Sequence, residues 1–115
     1  MKLPYLENAA VPQAKITEYL LSFTHEDGRS KAKFFVQFGF SAASWEEMAR
    51  ALIQHATAHE VAKAENDPFG TRYIIEGAIP TPDGRAPHVR SVWFIETGEQ
   101  QPRFVTAYSL GRSKV

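Results

Sequence analysis

The feature that most constrains this chain is a single change in the period of its apolar residues, close to residue 61. Before that point apolar residues recur every three to four positions, as on one face of a helix, and after it they crowd into short runs bounded by turn residues. A helical half followed by a strand half, with no return to helix, predicts an α+β fold rather than alternating βαβ units.

In the first half, Pro12 suits the first position of a helix, where its missing N–H costs nothing, and Ile16, Tyr19 and Leu20 follow at helical spacing. A second helix is predicted over Arg29 to Phe38. It carries Ala32, Phe35 and Phe38 on one face and ends where Gly39 can turn left-handed, which lets Phe40 fold back on Phe35. Ser44-Trp45-Glu46-Glu47 reads as a capping box opening a third helix. Trp45, Met48, Ala49, Leu52, Ile53 and Ala56 form its apolar stripe, and this stripe is expected to lie on a sheet.

Turn chemistry at 66–70, 80–84 and 97–102 separates four predicted strands, about Val61 to Glu65, Thr71 to Ile79, His88 to Ile95 and Arg103 to Tyr108. Connections this short cannot carry a crossover helix, so consecutive strands should pair antiparallel. The expected architecture is α+β, with two to three N-terminal helices packed on a four-stranded antiparallel meander sheet. Residues 1–115 are read as a single domain, its helical part about 12–60 and its sheet part about 61–110.

Composition enters by exclusion. The chain has no Cys, which removes thiol nucleophiles, disulfides and zinc ribbons. Thirteen Lys and Arg against 13 Asp and Glu give a formal net charge of zero, unlike a domain that coats nucleic acid through a general basic excess. The start of the sequence lacks the run of about 7–15 apolar residues of a signal peptide, and no window approaches a membrane span, so a cytoplasmic location and no membrane partner are expected. There is no glycine-rich phosphate loop and no nucleophile elbow. His55 and His59 stand four apart on the third helix, a spacing that suits one metal ion. Ala56 occupies the place of the Glu that a zinc protease motif requires and no third ligand is suggested, so they read as half-buried boundary histidines.

Two polar groupings remain. The run Thr24-His25-Glu26-Asp27-Gly28-Arg29-Ser30-Lys31-Ala32-Lys33 brings a titratable ring and three cations to the start of the second helix; this pattern fits a phosphate site or a capped, solvated helix end. On the strands, Arg72, Arg90, Arg103, Thr106 and Tyr108 are candidates for a sheet face free of helices, with Arg112 and Lys114 adding charge beyond it. Alternation places Thr106 and Tyr108 on one side.

The order Tyr19-Leu20-Leu21, His25 to Gly28, Lys31-Ala32-Lys33-Phe34-Phe35, Gly39-Phe40, Trp45, Gly70-Thr71-Arg72-Tyr73, Gly77, Val92-Trp93 and Thr106-Ala107-Tyr108 resembles a family of small uncharacterised bacterial toxin-like domains. More loosely, at the level of fold, the layout is similar to the barnase, EndoU, colicin and RelE-like ribonuclease group. The chain departs from the pattern at Glu26 and Ser109, where Pro would be expected. The resemblance implies a metal-independent endoribonuclease-like toxin domain of a toxin-antitoxin or polymorphic toxin system, with an RNA substrate, a neutralising partner protein and no cofactor. It implies His25, Lys31, Arg72, Thr106 and Tyr108 as catalytic residues and Arg29, Lys33 and Arg90 as phosphate contacts. The alternative is a non-enzymatic protein-interaction module, or an inactive nuclease relative, that binds a protein encoded nearby.

Overall fold

In the computed structural model, which describes residues 1–111, helices precede a four-stranded sheet in strand order β1-β2-β3-β4. The strands are β1 (Val61–Asp67), β2 (Gly70–Ala78), β3 (His88–Glu96) and β4 (Arg103–Ser109), each antiparallel to the next. Strand positions thus match the expected ones to within a residue or two, and the α+β meander is the observed fold.

The helical half departs from expectation in detail. Helix α1 (Gln13–Lys15) continues directly into a π-helical turn, Ile16–Leu20, and Pro12 is extended, preceding the helix rather than opening it. The wide turn is closed by the bond from Leu21 N–H to the Ile16 carbonyl, 2.8 Å. Helix α2 (Arg29–Val36) ends two residues early; Gly39 does adopt a positive φ of 103°, and the Phe35 and Phe40 rings meet at 6.1 Å.

Helix α3 (Trp45–Ala58) has no side-chain cap at Ser44. The expected capping box is absent because a 3₁₀ turn, Ala42–Ser44, precedes the helix, and Ser41 Oγ takes the N–H of Ser44 instead. The buried stripe of α3 is Met48, Ala51, Leu52, His55 and Ala56, with Trp45 and Ile53 only half-buried on its flanks. His55, expected at the boundary, therefore sits inside the core.

Cross-strand partners share a face. Ile75, Ser91 and Ala107 form one row and Trp93 lies on the same side, and all these are buried under the helices. The rows Ile74–Val92–Thr106 and Glu76–Arg90–Tyr108 lie on the other side of the sheet, with Thr106 on the edge strand β4 in reach of Tyr19. The N-terminal segment closes part of the β4 edge: Ala10 pairs in parallel with Arg103, donating to the Pro102 carbonyl and accepting from Phe104 N–H. This strap places α1 and the π-turn against β4, where two further polar contacts begin. No helix among the described residues is long and apolar enough to cross a membrane.

Candidate functional site

The loop between the π-turn and α2 is held by its own side chains. Ser22 Oγ accepts the N–H groups of Thr24 and His25 at 3.3 and 3.2 Å. His25 Nδ1 then accepts those of Asp27 and Gly28 at 3.0 and 3.1 Å, so the imidazole serves as the cap of the turn leading into α2. Gly28 packs against the Tyr19 backbone carbonyl, where a Cβ has no room. With its Nδ1 lone pair occupied, the neutral ring carries its proton on Nε2, which bonds no other described residue and is not buried without a partner. His25 thus presents a donor rather than a base.

Tyr19 ties this loop to the sheet. Its ring meets His25 edge-on at 5.0 Å between centroids, and its hydroxyl lies 2.7 Å from Thr106 Oγ1 on β4. Two ammonium groups stand beside the ring, Lys15 at 5.4 Å and Lys31 at 5.6 Å from its centroid. Each is also fixed by a carbonyl, Lys15 Nζ by Val105 at 3.2 Å and Lys31 Nζ by Asp27 at 3.1 Å. His25, Lys31 and Thr106 are therefore joined through one aromatic side chain.

On the open face, Arg90 donates to Tyr108 Oη at 3.3 Å and pairs with the Glu76 carboxylate. These hydrogen bonds, to Tyr108 foremost and then Glu76, raise the guanidinium above its ordinary value. Tyr108 lies one row from Thr106, so the Thr-x-Tyr pair links the Tyr19 cluster to the Arg90–Glu76 pair. The remaining candidates stand apart. Arg72 is exposed in the row of Glu65 and Phe94, two strands across and two residues along from Thr106, about 12 Å by strand geometry. Arg29 and Lys33, one helical turn apart, share the exposed side of α2, away from Lys31. Arg103 lies in the Arg72 row on β4, and Arg112 and Lys114 lie outside the described residues.

Tyr19 and Lys15 are the site members that reasoning on residue types passed over. The signal was present: a tyrosine on an apolar helical face needs a partner for its hydroxyl, and a lysine four residues earlier shares its side.

A second histidine cluster lies in the core. His55 Nε2 donates to the Gly77 carbonyl at 3.1 Å, which leaves Nδ1 to accept from Ser91 Oγ at 2.9 Å, and Trp93 Nε1 donates to the same Oγ at 2.9 Å. His59 Nε2 donates to the next carbonyl, Ala78, at 2.8 Å. Gly77, at φ 156°, leaves room for the His59 ring, which a Cβ would approach to 2.6 Å. Burial, together with the nearby His59 and His88, pushes His55 down to about 4 despite its bond to Gly77. Both Nε2 atoms are committed to carbonyls, and no group of three metal-ligating side chains occurs among the described residues.

A family model described as "Domain of unknown function (DUF6883)" matches residues 2–111, and the chain belongs to that family. Among solved structures, the fold is similar to a chain of a contact-dependent growth inhibition toxin–immunity protein complex from Klebsiella pneumoniae 342. That match has a TM-score of 0.66 at 19% identity and covers 85% of this chain and 96% of the other. No curated protein matches the chain.

Proposed function

We propose that this member of the family is a toxin-type domain that cleaves RNA without a metal ion and is held in check by a partner protein. The observation that carries the reading is the Tyr19–Thr106 hydroxyl pair, which draws His25, Lys31 and the Thr-x-Tyr strand into one cationic, hydroxyl-bearing cluster. The fold shared with a chain of a toxin–immunity complex supports a place in such a pair. In the proposed reaction a ribose 2′-hydroxyl gives its proton to solvent water as its oxygen bonds to the neighbouring phosphorus. The bond to the 5′-oxygen breaks and that oxygen takes a proton from water, so that a 2′,3′-cyclic phosphate and a 5′-hydroxyl result. Negative charge gathers on the phosphoryl oxygens at the transition state. Donors already in place there lower the barrier because they need no reorganisation. His25 acts through Nε2–H, Lys31 and Lys15 through their ammonium charges, and Thr106 and Tyr108 through hydroxyls. Arg90 orients Tyr108. Arg29, Lys33 and the displaced Arg72 fit flanking phosphates of the same strand rather than the one attacked.

A second reading, a non-enzymatic interaction module or inactive nuclease relative, draws on a specific observation: His25 Nδ1 and the Arg90 guanidinium already have partners inside the chain. One experiment separates the two. The purified chain is incubated with RNA in EDTA, and growth is recorded on expression with and without the neighbouring gene, for wild type, His25→Ala and Thr106→Ala. The expected result is growth arrest and metal-free fragmentation by wild type, slowed about 10²–10³-fold by His25→Ala as for loss of one transition-state donor. Intact RNA and identical behaviour of wild type and His25→Ala would end the ribonuclease reading in favour of the second.

A further inference from the structure

Phe23 is 52% exposed two residues before His25, and the turn around it is not loose. Ser22 Oγ fixes the amides on its C-terminal side, His25 Nδ1 fixes the next pair, and the His25 carbonyl accepts Arg29 N–H at 2.9 Å. A large apolar ring is thus presented to water by a hydrogen-bonded scaffold that also sets the position of His25. Of the other exposed rings among the described residues, Tyr5 at 42% precedes the 3₁₀ turn Leu6–Asn8 and Phe69 at 75% caps the β1–β2 hairpin beside Asp67, three residues before Arg72; neither shares a turn with His25. Phe23 instead precedes Lys31 and shares its loop with Glu26 and Asp27, whose charges lie at the N-terminal side of α2.

We infer that Phe23 is a stacking platform for an unpaired base of the RNA strand, next to the phosphate held by His25 and Lys31, so that the substrate class is single-stranded rather than duplex RNA. The inference rests on the ribonuclease reading. Its physical ground is that an aromatic side chain can take the face of a base only where that face is not already stacked in a helix, and that such contact is tolerant of base identity. A zero net charge strengthens the point: with no general attraction to a polyanion, binding here depends on a local cationic cluster and on non-ionic contact.

The test uses a fluorescein-labelled RNA decamer, the same decamer annealed to its complement, and a 2′-deoxy version that cannot be cleaved. Cleavage kinetics and binding by anisotropy are measured for wild type, Phe23→Ala, Phe23→Tyr and Phe69→Ala. The expected result is that Phe23→Ala raises KM and Kd for the single strand about 5- to 150-fold with kcat retained, the range for loss of one stacked base. Phe23→Tyr and Phe69→Ala should match wild type, and the duplex should be a poor substrate for all four. If wild type cleaves the single strand and Phe23→Ala does so with the same KM, this inference fails while the ribonuclease reading stands. If wild type neither cleaves the RNA nor binds the deoxy strand, both fail. Loss of affinity for the neighbouring gene's product in Phe23→Ala, with RNA kinetics unchanged, would assign the ring to a protein interface and overturn the inference.

Discussion

His25 and His55 share one hydrogen-bonding pattern in different surroundings. In both rings Nδ1 accepts hydrogen bonds and the proton sits on Nε2. In His55 that proton goes to the Gly77 carbonyl under complete burial, and every polar atom of the His55–Ser91–Trp93 cluster has a partner. In His25 Nε2 bonds no other described residue, and the ring rests edge-on against Tyr19, which itself meets two ammonium groups and the Thr106 hydroxyl. A hydrogen-bonded Ser–His contact is thus no indicator of chemistry by itself. What separates the two rings is whether Nε2 is committed to a partner inside the chain.

The largest test of this contrast is His55→Ala. It leaves a cavity beside Leu52 and Ala56 and strips Ser91 and the Gly77 carbonyl of a buried partner, so a loss of about 3–5 kcal/mol is expected in urea unfolding. His25→Ala, at a solvated turn, should cost no more than about 1 kcal/mol in the same assay, near the value of a lost cap. Equal losses at the two sites would erase the distinction between them.

Next in size is the pH dependence of stability. His55 has its pKa lowered from 6.5 to about 4 on folding, so between these values the unfolded chain binds a proton that the native chain does not. Stability from this group is complete above pH 6.5 and falls as pH drops towards 4. Each tenfold change in proton affinity is worth roughly 1.4 kcal/mol, so the whole fall amounts to about 3 kcal/mol. The groups facing the ring are His59 from its own helix and His88 from β3, both of which oppose a second positive charge. Urea titrations at intervals from pH 7 to 4 should show this slope in wild type and a shallower one in His55→Gln. An unchanged slope in the variant would mean that His55 does not titrate between those limits.

The sequence carried the sheet almost whole because its turns are written in Asn, Asp, Pro and Gly, which punctuate strands without regard to what packs on them. The helical half was legible in outline only. Local pattern cannot distinguish a capping box at Ser44 from a cap at Ser41, since both serines offer the same oxygen and tertiary packing decides which turn forms first. Nor does it reveal that a π-turn replaces the second turn of the first helix, because the apolar spacing of Ile16, Tyr19 and Leu20 suits either. The burial of His55 escapes the sequence for a related reason: a polar residue on the flank of a stripe reads as boundary until its partners, Gly77 and Ser91, arrive from strands 22 and 36 residues away. Within the candidate site, His25 and the Thr-x-Tyr pair were legible by type. The residue that joins them was not, because Tyr19 looks like core until its hydroxyl is seen to reach β4.

The smallest expected effect probes that join. Tyr19→Phe keeps the ring that touches His25 and lies beside Lys15 and Lys31, and removes only the hydroxyl bonded to Thr106. A single net hydrogen bond between partly buried hydroxyls contributes about 0.5–1.5 kcal/mol, so a fall in stability of that size and up to about tenfold in RNA cleavage are expected. Thr106→Val removes the other half of the same bond, and the double variant should lose less than the sum of the singles by about the bond's own value. The cycle needs both unfolding and cleavage readouts, since a bond that only steadies the β4 edge would couple in stability and not in rate. Coupling in both would mean that the same contact braces the fold and sets the distance from His25 to the strand. Strict additivity in the rate would leave His25 and Thr106 as two separate surface groups, and the contrast with the buried histidine would then rest on exposure alone.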